Sequence, residues 1–230
     1  MLVRERNASV RHCERSEAIQ HYIRGDTLDC FAALAMTGGD NGSIEHEAAR
    51  GDGAGMKVIG LAGWSGAGKT TLLTRLIPHF NAQGLRVSVI KHAHHQFDVD
   101  VPGKDSWRHR EAGAAEVLVA SSNRWALMHE LRGAAEPLLP ELLSKLSAVD
   151  LVVVEGFKRE PHRKIEVHRA ANDKPLLYPD DPGIVGIATD IAIETRLPSV
   201  HLDDIEAAAA LLLRAAMPVE EAVAKSAAMR

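Results

Sequence analysis

The phrase Gly63-Trp64-Ser65-Gly66-Ala67-Gly68-Lys69-Thr70 constrains this chain more than any other feature. It matches G-x-x-x-x-G-K-T in full and stands between the apolar run Lys57 to Ala62 and a segment in which Leu72, Leu73, Leu76, Ile77 and Phe80 recur at helical spacing. Strand, glycine turn and helix in that order let successive N–H groups curl around phosphate oxygens at a helix N-terminus. Gly63, Gly66 and Gly68 permit positive φ and a close backbone approach. Lys69 can reach the β and γ oxygens, and the Thr70 hydroxyl can ligate Mg²⁺. The plain alternative is a chance glycine-rich turn.

The rest of the chain fits a sheet covered by helices. Gly84 lies where the first helix should stop, and Pro78 should kink its last turn. Arg86 to Ile90 reads as a second strand, Glu116 to Ala120 with Arg124 to Met128 as a strand pair, and Asp150 to Val154 as a fully buried strand. Leu138, Leu139, Leu142, Leu143 and Leu146 outline an amphipathic helix. Lys164 to Val167, Ile184 to Ala188 and Val200 to Leu202 are further short strands, and Asp203 begins a final Ala/Leu-rich helix. The expected architecture is α/β: a three-layer P-loop nucleotide-binding fold with a mostly parallel sheet and a β-hairpin excursion.

A seam falls at Met56. Residues 1–55 hold six arginines, no lysine and nine acidic residues, and from Thr37 to Gly55 they are turn-rich with little to bury. The phrases Arg11 to Ile19 and Leu28 to Thr37 resemble translated intergenic repeats of bacterial genomes. Residues 1–55 are therefore expected to be a disordered or spurious extension, with translation starting at Met56 and residues 56–230 forming the nucleotide-binding domain. The alternative is a weak helix over Leu28 to Met36 that docks on the body.

Composition removes several function classes. A formal charge of −4 leaves no whole-chain basic field for nucleic acid or anionic lipid. The longest apolar runs, such as Ala207 to Leu213, fall far short of the roughly 18 residues of a spanning helix. No apolar h-region follows the charged start, so a cytoplasmic protein is expected. Cys13 and Cys30 are too few for a disulfide scaffold.

A metal beside the loop needs a second anchor, normally an acid at the end of a neighbouring buried strand. Asp150 and Glu155 flank such a strand. Ligands bind at the carboxyl edge of a parallel sheet, which favours Glu155 and places Asp150 on the wrong edge. After the second strand, Lys91 to Ser106 carries His92, His94, His95, Asp98 and Asp100. The carboxylates Asp98 and Asp100 suit hydrated Mg²⁺, and Lys91, Lys104 and Arg108 suit further anionic groups. Contacts to a substrate or the terminal phosphate, a transition-metal site, and a merely polar loop all remain open at this point.

These pieces together resemble the MobB family of molybdopterin-guanine dinucleotide biosynthesis adapter proteins. The matching phrases are Gly63 to Thr70, Lys91-His92 with His94-His95, Asp98 to Ser106, Arg108 to Gly113, and Val154-Glu155-Gly156-Phe157-Lys158. The resemblance implies a GTP-binding protein, usually a homodimer, that assists the guanylyltransferase attaching GMP to the molybdenum–pterin cofactor. Asn-Lys-x-Asp, the common guanine reader, is absent. Asp190 ends a late strand instead, where its carboxylate could accept the guanine N1 and N2 protons or cap a helix beginning at Ile191. Base identity therefore rests on the resemblance.

The expected nucleotide-binding residues are thus Gly63, Trp64, Ser65, Gly66, Ala67, Gly68, Lys69, Thr70, Thr71 and Asp190, with Thr70, Glu155 and Asp98 around Mg²⁺. Lys69 and Asp100 are the candidates for chemistry. An adapter binding GTP–Mg²⁺ would hydrolyse it slowly, since no Gln is placed to orient water and no isolated loop Arg suggests a finger. The enzyme alternative is a P-loop small-molecule kinase with Asp98 or Asp100 as base. A structural protein with a vestigial loop is the third reading, disfavoured because Gly68, Lys69 and Thr70 are intact.

Overall fold

Val58, Ile59 and Leu61 are inaccessible to solvent, so the first strand, β1 (Lys57–Ala62), is covered on both faces. In the computed structural model, which describes residues 55–93 and 97–229, this strand lies at the centre of the sheet. The expectations for residues 1–54, His94 and His95 lie outside the described residues.

The elements after β1 are α1 (Lys69–Ala82), β2 (Val87–Lys91), α2 (Asp105–Glu111), the hairpin β3 (Glu116–Ala120) and β4 (Trp125–His129), and α3 (Leu139–Leu143). They continue with β5 (Leu151–Glu155), β6 (Lys164–His168), β7 (Ile184–Thr189), β8 (Ser199–His201), α4 (Ile205–Ala215), β9 (Met217–Pro218) and α5 (Val219–Ala228). The main sheet runs β2-β5-β1-β6-β7-β8, all parallel. One edge of β1 is shared by two partners: β6 pairs with Gly60–Ala62, while the two-residue β9 pairs antiparallel with Lys57 and Val58. The hairpin forms a separate two-stranded sheet.

Side chains alternate across a strand, and β1 shows the consequence. Ile59 and Leu61 face a core built with Leu72, Leu73, Leu76 and Phe80 of α1 and Ala208, Leu211 and Leu212 of α4. Val58 faces the opposite core, with Val152, Val154, Leu139, Leu143, Met217 and Ala222. Each fully buried aliphatic or aromatic side chain contributes about 1.5–3 kcal/mol. Helices on both faces of a mostly parallel sheet make the α/β architecture expected from the sequence.

The structure departs from the sequence reading in a few elements. Helix α1 runs through Pro78 to Ala82, and Gly84, at φ 78°, donates its N–H to the Asn81 carbonyl just beyond it. Helix α3 is one short turn, because only Leu139 and Leu143 of the leucine series are fully buried. The final helix begins after Asp204, not Asp203: Asp204 Oδ1 accepts from Ala207 N at 2.9 Å, while Asp203 pairs with Arg75 at 2.7 Å. It also breaks at Ala216, whose extended backbone and the following Pro218 turn the chain back onto β1 before α5 begins.

Candidate functional site

Gly63 shows why the loop leaving β1 is built of glycine. It sits at φ 143°, and a Cβ there would lie 2.4 Å from the Val167 carbonyl oxygen of β6, a backbone atom that cannot move aside. Gly66 and Gly68 also have left-handed φ values of 81° and 93°, and Gly68 is the N-cap of α1. The loop therefore ends on the free N–H groups of a helix N-terminus. Ala67 is buried beneath it, whereas Ser65, Gly66, Thr70 and Thr71 are exposed.

Lys69 folds back over the loop, donating to the Gly63 and Trp64 carbonyls at 2.9 Å each. Its pKa lies below the ordinary lysine value because burial disfavours the ammonium; Glu155 opposes this, and Lys158 and Lys91 add to it. An arriving anion would favour the ammonium by direct attraction and so offset both.

Parallel register puts the two acids at opposite edges of the sheet. Glu155 is level with Leu61 of β1 and with Lys91 of β2, at the carboxyl edge where the loop departs. Its carboxylate is nearly buried and accepts the Thr70 hydroxyl at 3.1 and 3.3 Å, with Lys91 Nζ 3.9 Å away. A hydroxyl and a carboxylate side by side form an oxygen donor pair of the type that suits Mg²⁺. Asp150 sits at the other edge and accepts the Arg86 N–H at 2.7 Å.

Asp98 and Asp100 are spent elsewhere. Both Asp98 oxygens accept from Arg110 Nη2, at 2.9 and 2.8 Å, and Asp100 accepts from Ser106 at 2.7 Å and Arg110 Nε at 3.2 Å. Arg110 completes the cluster with Glu130 at 2.9 Å, tying the loop to α2 and to the end of the hairpin. Hydrogen bonds hold both aspartates ionised: the pKa of Asp98 is lowered by the Asp100 N–H and then Arg110, that of Asp100 first by Ser106. Neither makes a hydrogen bond or ion pair to the glycine loop among the described residues. His92 leaves β2 in another direction, stacking on Phe157 at 4.7 Å and meeting Glu136 at 2.5 Å. Among the described residues, no group of three or more His, Cys, Asp or Glu side chains could hold a metal ion.

The segment after β6 straps the loop, which the sequence did not reveal. Asn172 Nδ2 donates to the Ser65 carbonyl at 2.9 Å, and Trp64 Nε1 donates to the Pro175 carbonyl at 2.7 Å. A Cβ on Gly68 would lie 3.4 Å from the Arg169 guanidinium, so a cation stands over the loop in cis. Lys158 rests on the Trp64 ring at 5.2 Å. Only the position of Arg169, directly after a short strand, could have hinted at this.

Asp190 joins the same strap. Its Oδ1 accepts the Ala170 N–H at 2.8 Å and its other oxygen lies 3.8 Å from Arg169. No helix begins at Ile191; the capping reading is corrected, because Asp190 holds the single 3₁₀ turn Ala170–Asn172 instead. A cavity of about 320 Å³ opens beside it, between residues 189–193 and 199–201.

Comparison with known proteins agrees with this arrangement. Residues 58–190 match the profile of the family described as molybdopterin guanine dinucleotide synthesis protein B, or MobB. The chain is 43% identical over 152 residues to the molybdopterin-guanine dinucleotide biosynthesis adapter protein of Escherichia coli, covering 65% of this chain and 87% of that protein. It is 46% identical over 140 residues to the adapter protein of Haemophilus influenzae, covering 60% and 76%. A crystal structure of molybdopterin-guanine biosynthesis protein B superposes with a TM-score of 0.56 at 28% identity, over 68% of this chain and 98% of that one. A crystal structure of Bacillus subtilis MobB gives 0.55 at 25% identity, over 70% and 98%. With the family profile spanning the strand, the glycine loop, Glu155 and the strap described above, the chain belongs to the MobB family.

Proposed function

We propose that the protein is a GTP–Mg²⁺-binding adapter in molybdopterin-guanine dinucleotide biosynthesis, with slow hydrolysis, acting with the guanylyltransferase that attaches GMP to the molybdenum–pterin cofactor. The observation that carries the nucleotide part is the pair of contacts at the head of α1, Lys69 across the loop and Thr70 on Glu155. The adapter role is supported by the relatives, which bear that name. In this reading Gly63 to Thr71 receive the phosphates, Arg169 adds a cation above Gly68, and Asp190 with the neighbouring cavity takes the guanine edge. Thr70 and Glu155 would hold Mg²⁺, which neutralises phosphate charge when bound. Asp98 is proposed to meet it only if Arg110 releases the carboxylate.

The small-molecule kinase is the weaker reading. Asp100, a candidate base, accepts from Ser106, Arg110 and the Val101 N–H and makes no hydrogen bond or ion pair to the glycine loop among the described residues, so nothing aims it at a group beside the phosphates. We propose that Asp100 positions the loop that follows β2.

Calorimetric titration with GTP and ATP, with and without Mg²⁺, tests the assignment. GTP–Mg²⁺ should bind in preference to ATP–Mg²⁺. Lys69→Ala should lose roughly tenfold to a hundredfold in triphosphate affinity, as expected for charge-assisted hydrogen bonds. Glu155→Gln should chiefly reduce the Mg²⁺ dependence. Equal GTP–Mg²⁺ affinity in Lys69→Ala and wild type would refute the phosphate site, and phosphate appearing on an acceptor without the transferase would favour the kinase.

A further inference from the structure

The two faces of the sheet are not covered alike. Helices α3 and α5 build their apolar cluster with residues of β1, β2, β5 and β9, and among the described residues no side chain of β6 or β7 joins it. Beside that cluster lies a cavity of about 650 Å³, bordered by α5 and the segments before β6 and β7. A parallel sheet normally buries both faces, so an opening here is unusual.

Its lining combines cationic and apolar side chains. Lys164 lines it and is only 2% exposed. The ammonium has three protons to donate, and Asp181, at 3.1 and 3.4 Å, is its sole carboxylate partner within 4 Å among the described residues. Arg159 and Arg163 also line the cavity, and neither side chain makes a hydrogen bond or ion pair to another described residue. Of the acids on the wall, Asp181 is held by Lys164 and Glu160 accepts the Ser226 hydroxyl at 2.6 Å, which leaves Asp180. Leu177, Val185 and Met229 supply the apolar side.

We propose that this cavity is a second ligand site, separate from the glycine loop, for a small phosphomonoester carrying an apolar body. Guanidinium forks match phosphate oxygens in pairs, and the buried Lys164 ammonium, two of whose protons go to Asp181, keeps one donor for a ligand oxygen. A purely inorganic anion would leave the apolar wall unused, and a neutral ligand would leave the Arg159 and Arg163 guanidinium groups without an anionic partner. The volume lies within the range of small-molecule sites, roughly 300–1,000 Å³. Ala62, the residue before Gly63, and Lys158, which rests on Trp64, belong to the same wall. The occupant would therefore lie against the strand that carries the loop. This inference goes beyond the nucleotide reading and stands without it.

The test is calorimetric titration of the full chain carrying Lys69→Ala, so that the glycine loop contributes least, with phenyl phosphate, inorganic phosphate and phenol. Saturable binding of phenyl phosphate, at least fivefold tighter than inorganic phosphate and absent for phenol, is expected. The double substitution Arg159→Ala/Arg163→Ala should weaken it tenfold or more with little change in melting temperature, because neither side chain makes a hydrogen bond or close ion pair and only the longer-range attraction of Arg163 for Glu221 is lost. Lys164→Met probes the buried ammonium, with circular dichroism as the check on folding. Absence of saturable binding, binding unchanged by the double substitution, or binding present in wild type and lost with Lys69→Ala would each overturn the proposal.

Discussion

His162 is 1% exposed and packs against Gly60, where a Cβ would come within van der Waals overlap of its ring. Burial, and then the neighbouring Lys164, push its pKa down to about 3, against the pull of Asp181. The unfolded chain takes up this proton near pH 6.5, so stability at this residue is complete above that pH and falls as pH drops toward 3, by up to about 1.4 kcal/mol per pH unit. Glu166, whose pKa burial raises, opposes the trend near pH 4.5 and above. Melting followed from pH 7 to pH 4 should show a fall that His162→Leu flattens; parallel profiles would assign the acid sensitivity to other groups. At the same scale the sequence made Lys69, Thr70 and Glu155 legible, because each is tied to a local motif. Arg110, Arg169 and Asn172 were not legible, since each acts on residues distant in the chain.

At the level of elements, the turn between β1 and α1 tolerates no side chain at its first position. Gly63→Ala would drive a methyl into the Val167 carbonyl and impose a left-handed φ, costing about 1–3 kcal/mol. Chemical denaturation should show that loss together with weakened nucleotide binding; a stable, fully binding Gly63→Ala would contradict the close approach of β6. The short β9 does comparable structural work from the other end of the chain. Met217 is fully buried between β1 and α5, and Met217→Ala should cost about 2–5 kcal/mol, measured as a shift in denaturation midpoint. Hydrophobic periodicity ran straight through this point because Ala-rich helix on either side hides a two-residue strand.

For the molecule as a whole, every described helix and strand lies between Lys57 and Ala228. A chain beginning at Met56 is therefore expected to melt within a degree or two of the full chain and to bind nucleotide equally. A drop of several degrees, equivalent to about 1 kcal/mol in a domain of this size, would show that the preceding residues dock. The hairpin bears on assembly. Val117 and Met128 share one face and are partly buried, while Leu118, Trp125 and Leu127 on the other face are 60%, 67% and 47% exposed. The expectation of a homodimer makes this exposed apolar face the one to test for contact with a second copy of the chain. Leu118→Lys with Leu127→Lys should halve the mass seen by sedimentation; an unchanged mass would place the interface elsewhere.

Local patterns were sufficient for strands β1 to β8 and for helices α1, α3 and α4, for the glycine loop, and for placing Glu155 rather than Asp150 at the carboxyl edge, whereas α2, β9 and α5 went unread. Each depends on side-chain period, on backbone freedom at glycine, or on which end of a buried strand faces the ligand edge. Tertiary structure alone decided where the charges are spent. Asp98 and Asp100 look like metal ligands as a sequence, yet Arg110, brought alongside by α2, takes both. Asp190 could have capped a helix, yet the strap after β6 passes close enough to use its carboxylate first. A carboxylate bonds to whichever donor folding brings within about 3 Å, and that distance is set by the packing of remote elements.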